Sequence, residues 1–375
     1  MTPSPDRNAN RIAFLDVARG IGILFVLLGH NLWSESRASA AIFSFHMPLF
    51  YFLSGLFFSP KTARTWKTIR MKTASILFPA AFFTLLACVV FLVKPELAAH
   101  ASPRLLYKLF VHGEPWFDKP LWFFTSLAGV VFVFSFASRL LSAPHQTIRR
   151  TAFLALCVAL SFAAASAPLS FRAMWSPAML ATIPFGLCWY GLGFFAKDRI
   201  LRFESFRGRS IPLLLLAILL ALPILCAADV SMKPDLRTAR MGSWLLFPLS
   251  LCGIAAVLAA AKALPERIGR PIAYLGRNSA AIFALEFVTF PFVAKALGAL
   301  VPGYSHFVIA ESTPHWQSLA AIAAQLAVLS LLSPPVMAVL SLLWKRLSPA
   351  KDPRVGPAAP PHGACDQEPS RPRPA

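Results

Sequence analysis

The chain has 375 residues, 57% of them hydrophobic and only 14% charged, whereas a soluble globular protein carries about 25% charged residues. That deficit, together with 33 Phe, excludes an ordinary water-soluble domain and implies a chain whose solvent is mostly lipid. The net charge of +20 raises nucleic acid as a partner, but no basic run is interleaved with base-stacking aromatics in a soluble segment, so nucleic-acid binding is set aside. A membrane span needs about 20 predominantly apolar residues. Ten runs meet that need, roughly 13–33, 40–59, 73–93, 120–141, 151–168, 176–196, 211–228, 243–262, 272–297 and 318–343. The expected fold is therefore all-α, a polytopic integral membrane helix bundle of about ten transmembrane helices.

The first run contains Arg19-Gly-Ile-Gly-Ile-Leu-Phe-Val-Leu-Leu-Gly-His30. Arg19 and His30 are eleven residues apart, so at about 100° per residue they point the same way, separated by roughly 16 Å along the axis. Asp16 and Arg19, three apart, can pair on the helix surface. An ionisable group at a helix centre costs about 2.5–3.5 kcal/mol unless it is paired or wet. Two readings stay open for Arg19: an interfacial anchor snorkelling to headgroups, or one end of a polar path. The run with Ala38-Ser39-Ala40 also resembles a cleavable signal peptide. Asp16, Arg19 and His30 interrupt that pattern, and the first span is expected to stay.

The second run opens with Phe45-His46-Met47-Pro48-Leu49-Phe50-Tyr51-Phe52-Leu53-Ser54-Gly55. If the first span runs outward, His46 lies at a depth similar to His30, on a neighbouring helix joined by a short loop. Two histidines without a visible third ligand do not make a zinc site, so no metal is expected. A wet pocket with one histidine as general base suits the residue types better. Next comes a basic stripe, Lys61, Arg64, Lys67, Arg70 and Lys72. It serves either as a topology signal and headgroup anchor or as a landing surface for a phosphate-rich cosubstrate. The segment Lys94–Lys119, with His100, His112, Glu114, Trp116 and Asp118, has the length and residue types to cover or line a site.

With the N-terminus inside, the inner segments hold 24 Lys and Arg and the outer loops 9, with Arg19, Arg277 and Lys295 inside spans. This positive-inside asymmetry places both termini in the cytoplasm and accounts for the basic charge through topology and anionic membrane lipid. The expected organisation is a flexible N-terminus over 1–10, a transmembrane domain over 11–346, and a disordered Pro-rich cytoplasmic tail over 347–375. Residues 348–375 include eight prolines. The six Cys show no CxxC or other metal spacing and read as small buried hydrophobes. No internal repeat, Gly-rich phosphate loop or Gly-x-Ser-x-Gly elbow is present.

Leu15-Asp16-Val17-Ala18-Arg19-Gly20, with ten residues between Arg19 and His30, resembles the opening of the family-3 membrane acyltransferases, which O-acylate carbohydrates. Phe45-His46-Met47-Pro48 through Gly55-Leu56-Phe57 is similar to the second-helix signature of its fucose 4-O-acetylase-like branch. Further matches are Pro120-Leu121-Trp122-Phe123-Phe124, Tyr190-Gly191-Leu192-Gly193-Phe194-Phe195 and Leu275-Gly276-Arg277-Asn278-Ser279. One departure is that Glu286 stands where the family often carries a histidine. The resemblance implies a multi-pass enzyme of the inner or plasma membrane. It would bind no cofactor and move an acyl group, usually acetyl, from acyl-CoA as cosubstrate to a hydroxyl of a cell-envelope or exported carbohydrate or lipid-linked glycan.

On that resemblance His30 is the base, Arg19 stabilises the donor and Asp16 holds Arg19. His46, Trp122, Asn278 and Glu286 contact substrate, and Arg70 and Lys72 contact the acyl-CoA phosphates. The alternative is a transporter or flippase of a lipid-linked or amphiphilic solute. Transporters often show repeats and broken helices, and the sequence displays neither. A scaffolding role leaves the intramembrane charges unexplained.

Overall fold

The computed structural model describes residues 5–31, 37–60, 65–93, 121–141, 146–166, 182–202, 210–227, 245–301 and 315–347. These form eleven helices: α1 (Pro5–Asn31), α2 (Arg37–Leu56), α3 (Trp66–Val93), α4 (Trp122–Leu141), α5 (Gln146–Ser166), α6 (Ile183–Arg202), α7 (Ser210–Ala227), α8 (Leu246–Ala263), α9 (Glu266–Arg277), α10 (Ser279–Leu300) and α11 (His315–Leu347). The expected covering loop 94–119 and the tail beyond Leu347 lie outside the described residues, as do Lys61 and Arg64.

Among the described residues, six helices are long and apolar enough to cross a membrane, and the bent α10 makes a seventh. The protein is an all-helical polytopic membrane protein. Its helices sort by burial: 67% of the α2 span is buried inside the bundle, against 11% of the α5 span. Leu215, Leu219 and Ile211 on α7 are more than half exposed, as side chains facing lipid are. The core gathers around α1, α2, α4, α6 and α10, with Tyr51, Phe58, Phe134 and Tyr190 fully buried.

Two crossings bring backbones into contact. A Cβ added to Gly20 would overlap the Ile272 carbonyl oxygen, and one added to Gly276 would overlap the Asp16 carbonyl oxygen. The pair lets α1 and α9 touch. Gly55 and Gly193 do the same for α2 and α6, against the carbonyl oxygens of Tyr190 and Phe52. Small residues permit this close approach, and with it the dispersion contacts that hold helices together in lipid.

Proline and hydroxyl side chains answer each other inside the bundle. Pro48 removes the N–H that would bond the Ser44 carbonyl one turn back. Ser250 of α8, itself fully buried, donates to that carbonyl at 2.6 Å in a bond shared with its own Leu246 carbonyl, also at 2.6 Å, which is how neighbouring helices re-satisfy freed backbone groups in membranes. A buried relay, Tyr51 to Ser126 at 2.7 Å and Ser126 to Thr182 at 2.6 Å, ties α2, α4 and the start of α6.

The run expected as one span from 272 to 297 is two elements. Asn278 leaves helical geometry at φ −98°, ψ 7°, and its Nδ2 donates to the Tyr274 carbonyl at 3.0 Å, ending α9. The physical reason is a change of character: α9 is amphipathic, with exposed Arg267 and Arg270, whereas α10 is apolar almost all round. The broken helix that the sequence did not display is present as well. Within α10, Ser279–Glu286 and Val288–Leu300 meet at 58°. Pro291 offers no N–H to the turn at Phe287, and Thr289 Oγ1 bonds the carbonyls of Leu285 at 2.9 Å and Glu286 at 3.1 Å. Prolines and inserted side chains of this kind are the usual causes of kinks.

Candidate active site

Helix α1 carries Asp16, Arg19 and His30 on faces that pack against other helices. The Arg19 and His30 side chains are 29% and 21% exposed, and Asp16 is 12% exposed. Helices α2, α8, α9, α10 and α11 surround α1, so the polar side of the helix is met by protein.

At the His30 level, His30 Nδ1 donates to Glu286 Oε1 at 2.8 Å. Glu286 is 2% exposed, and its other oxygen, Oε2, is buried with no hydrogen-bond partner among the described residues. The Glu286 carbonyl, at the α10 bend, accepts from Gln325 Nε2 of α11 at 2.9 Å. The bend, Thr289 and Gln325 thus hold the Glu286 backbone where its carboxylate reaches α1. With Nδ1 committed to the carboxylate, Nε2 is the ring nitrogen of His30 on the side away from Glu286.

His46 is buried and its Nδ1 donates to the Ile42 carbonyl at 2.8 Å. The Phe43 ring contacts both imidazoles, its centroid 5.8 Å from that of His30 and 5.1 Å from that of His46. The histidines therefore share a level, as their placement on adjacent helices predicts, but the group orienting His30 is Glu286 rather than His46. No group of three His, Cys, Asp or Glu side chains among the described residues converges as a metal-ligand set.

At the Arg19 level, Asp16 stands between two arginines. Arg19 Nη1 lies 3.5 Å from Asp16 Oδ1, and Arg277 Nη1 lies 4.0 Å from Asp16 Oδ2. In the sequence Arg277 stands within an apolar run and in the Leu275–Ser279 match, with no assigned role; the Gly20–Gly276 crossing brings it to Asp16. The Arg19 guanidinium also sits over the Phe57 ring, 4.4 Å from its centroid, a favourable cation–π geometry.

The remaining expected residues divide. Trp122 is buried at the start of α4 against Phe123, whose ring centroid is 5.8 Å from that of Phe283, one turn before Glu286. Asn278 spends its amide on the Tyr274 carbonyl, beside Arg277 and eight residues before Glu286. Arg70 and Lys72 do not come together. Residues two apart on a helix face different ways, and Lys72 leans over the Phe58 ring at 4.2 Å while Arg70 is exposed.

Two apolar cavities adjoin the helices that carry these residues. One of about 490 Å³ between α3, α10 and α11 is lined by apolar groups including Leu285, Val288 and Phe292, with Thr289 as its polar member. A second, of about 390 Å³ between α1, α2, α7 and α8, is lined by Phe25, Phe45, Leu249 and similar side chains, with Ser44 among them.

Comparison with known proteins adds one positive finding. The acyltransferase domain that defines the acyltransferase 3 family matches residues 12–339, from the start of the apolar part of α1 to the last turns of α11. No curated protein and no solved structure matches the chain.

Proposed function

The chain belongs to the acyltransferase 3 family, and on that premise we propose that it is an O-acyltransferase of the cell membrane, of the fucose 4-O-acetylase-like kind. It moves an acyl group, acetyl in the simplest case, from cytoplasmic acyl-CoA to a carbohydrate hydroxyl of a cell-envelope or exported glycan. Both termini are cytoplasmic, so the Arg19 level is the inner one and the His30 level the outer. The observation that carries the reading is the 2.8 Å bond between His30 and a carboxylate 256 residues away, inside a chain whose family transfers acyl groups.

The chemistry runs through His30 Nε2. It takes the proton of the acceptor hydroxyl as the oxygen attacks the thioester carbonyl carbon. Glu286 holds the Nδ1 proton and stabilises the imidazolium that results, as an orienting carboxylate does beside a general-base histidine. The tetrahedral intermediate collapses with loss of the CoA thiolate, which recovers the proton from Nε2; the products are an ester and free CoA. Arg19, steadied by Asp16, binds anionic parts of the donor at the inner level. The separation of roughly 16 Å along α1 suits an extended pantetheine-like arm reaching from one level to the other. His46, Trp122 and Phe123 form the aromatic and polar surroundings of the acceptor.

The test incubates the purified protein in lipid nanodiscs with radiolabelled acetyl-CoA and a glycan extract. Label is expected in the glycan with the native protein and is lost in His30→Ala. The bent α10 favours one second reading, a carrier of an amphiphilic solute, because discontinuous helices line transporter sites. Acceptor movement across proteoliposomes with no acyl transfer would establish that reading and refute the first.

A further inference from the structure

Lys197 of α6 has no part in the sequence argument, yet it lies where two other helices bring cations. Phe57 and Phe58 close the end of α2, with Phe58 N bonded to the Gly55 carbonyl at 3.0 Å. Phe58 is fully buried and locked edge-on by Phe134 at 5.0 Å, Phe194 at 5.5 Å and Tyr190 at 5.9 Å. On this rigid residue the Lys72 ammonium sits 4.2 Å above the ring, and Lys197 Nζ donates to the Phe58 carbonyl at 3.3 Å. Arg19 stands over the adjacent Phe57. Three helices, α1, α3 and α6, therefore deliver three cations to two consecutive residues.

Among the described residues the charges there are not balanced by carboxylates. Among the described residues neither Lys72 nor Lys197 has a carboxylate within salt-bridge distance, the two ammoniums are close enough to repel one another, and Asp16 is shared by Arg19 and Arg277. A lysine that merely snorkels extends away from the bundle into headgroups and water. Lys72 and Lys197 instead fold back, half-buried, onto one residue. Like charges held together at a protected edge are an arrangement that a multiply charged anion relieves, and lysine is a natural point-charge partner for phosphate.

We propose that Lys197 and Lys72 clamp the phosphate groups of the donor's nucleotide portion at the Arg19 end of α2, with Lys197 in the place that the sequence assigned to the exposed Arg70. This rests on the acyl-CoA reading for the identity of the donor. The clamp holds the polyanion beside Arg19, from which the thioester arm extends along α1.

The full-length protein in nanodiscs of zwitterionic lipid is treated with an amine-acetylating reagent, and the modified lysines are quantified by mass spectrometry with desulfo-CoA or inorganic pyrophosphate as probe. Both probes are expected to slow modification of Lys72 and Lys197 and to leave Lys345 of α11 unaffected. In Lys197→Gln, desulfo-CoA protects Lys72 about tenfold less well, the loss expected for one charge-assisted contact, whereas Lys197→Arg retains protection. Absence of protection by either probe overturns the clamp. Protection that appears only in discs containing phosphatidylglycerol assigns the site to lipid headgroups and overturns it as well. In a turnover assay, Lys197→Gln raises KM for acetyl-CoA about tenfold with KM for acetyl-pantetheine unchanged; equal effects on the two donors overturn the clamp. Protection in a protein that transfers no acyl group leaves the phosphate site standing and refutes the acyltransferase reading instead.

Discussion

His30 and Glu286, 256 residues apart in the chain, meet at 2.8 Å between α1 and α10. The carboxylate is buried and the imidazole partly open. This asymmetry fits a pair in which one member is fixed by protein and the other meets a substrate. It also gives the departure at Glu286 a physical content, since an acidic side chain at this point complements the histidine of α1.

If the two act as one unit, their effects are not additive. His30→Ala is expected to lower kcat by about 10²–10⁴-fold, the usual contribution of a positioned general base. Glu286→Gln, which removes the charge facing the imidazolium, also lowers kcat. The double variant is expected to be no slower than His30→Ala alone. Multiplicative losses in steady-state assays of the four proteins would show that the residues work separately.

Ser250 is a structural prediction independent of the chemistry. Its hydroxyl donates to the Ser44 carbonyl that Pro48 leaves without an N–H partner. Ser250→Ala strands that buried carbonyl and is expected to cost about 1–3 kcal/mol. Thermal denaturation in detergent reads the loss. The double variant Ser250→Ala, Pro48→Ala restores an N–H to α2 and recovers part of it.

Gly276→Ala is expected to damage both stability and activity. The new methyl would overlap the Asp16 carbonyl oxygen, which is backbone and cannot rotate away. Overpacking of this kind costs about 1–3 kcal/mol or more. The displaced α9 would also carry Arg277 away from Asp16. Gly269→Ala, where the added Cβ meets only a Val17 methyl at ordinary contact distance, serves as the benign control on the same helix.

Asp16→Asn separates a structural from a functional role for the arginine bracket. At 3.5 and 4.0 Å, with Arg277 more than half exposed, the pairs are loose. Screening by solvent limits their contribution to stability to about 1 kcal/mol or less. The expected result is therefore a small shift in melting temperature with a larger rise in KM for the acyl donor. A large melting shift with unchanged KM would make Asp16 a structural anchor only.

Much of this protein is written in its chain order. The apolar runs placed ten of the eleven helices to within several residues, because a segment in lipid has to satisfy its own backbone and helices do so. The facing of Arg19 and His30 follows from spacing within one helix, and the level shared by His30 and His46 from the short connection between neighbouring helices. Tertiary structure decided which helices meet. It brought Glu286 to His30, Arg277 to Asp16 and Lys197 to Lys72, divided the ninth run at Asn278 and bent α10 beside Glu286. None of these is periodic in sequence. Each depends on a close crossing or a freed carbonyl, and such contacts exist only once backbones have packed.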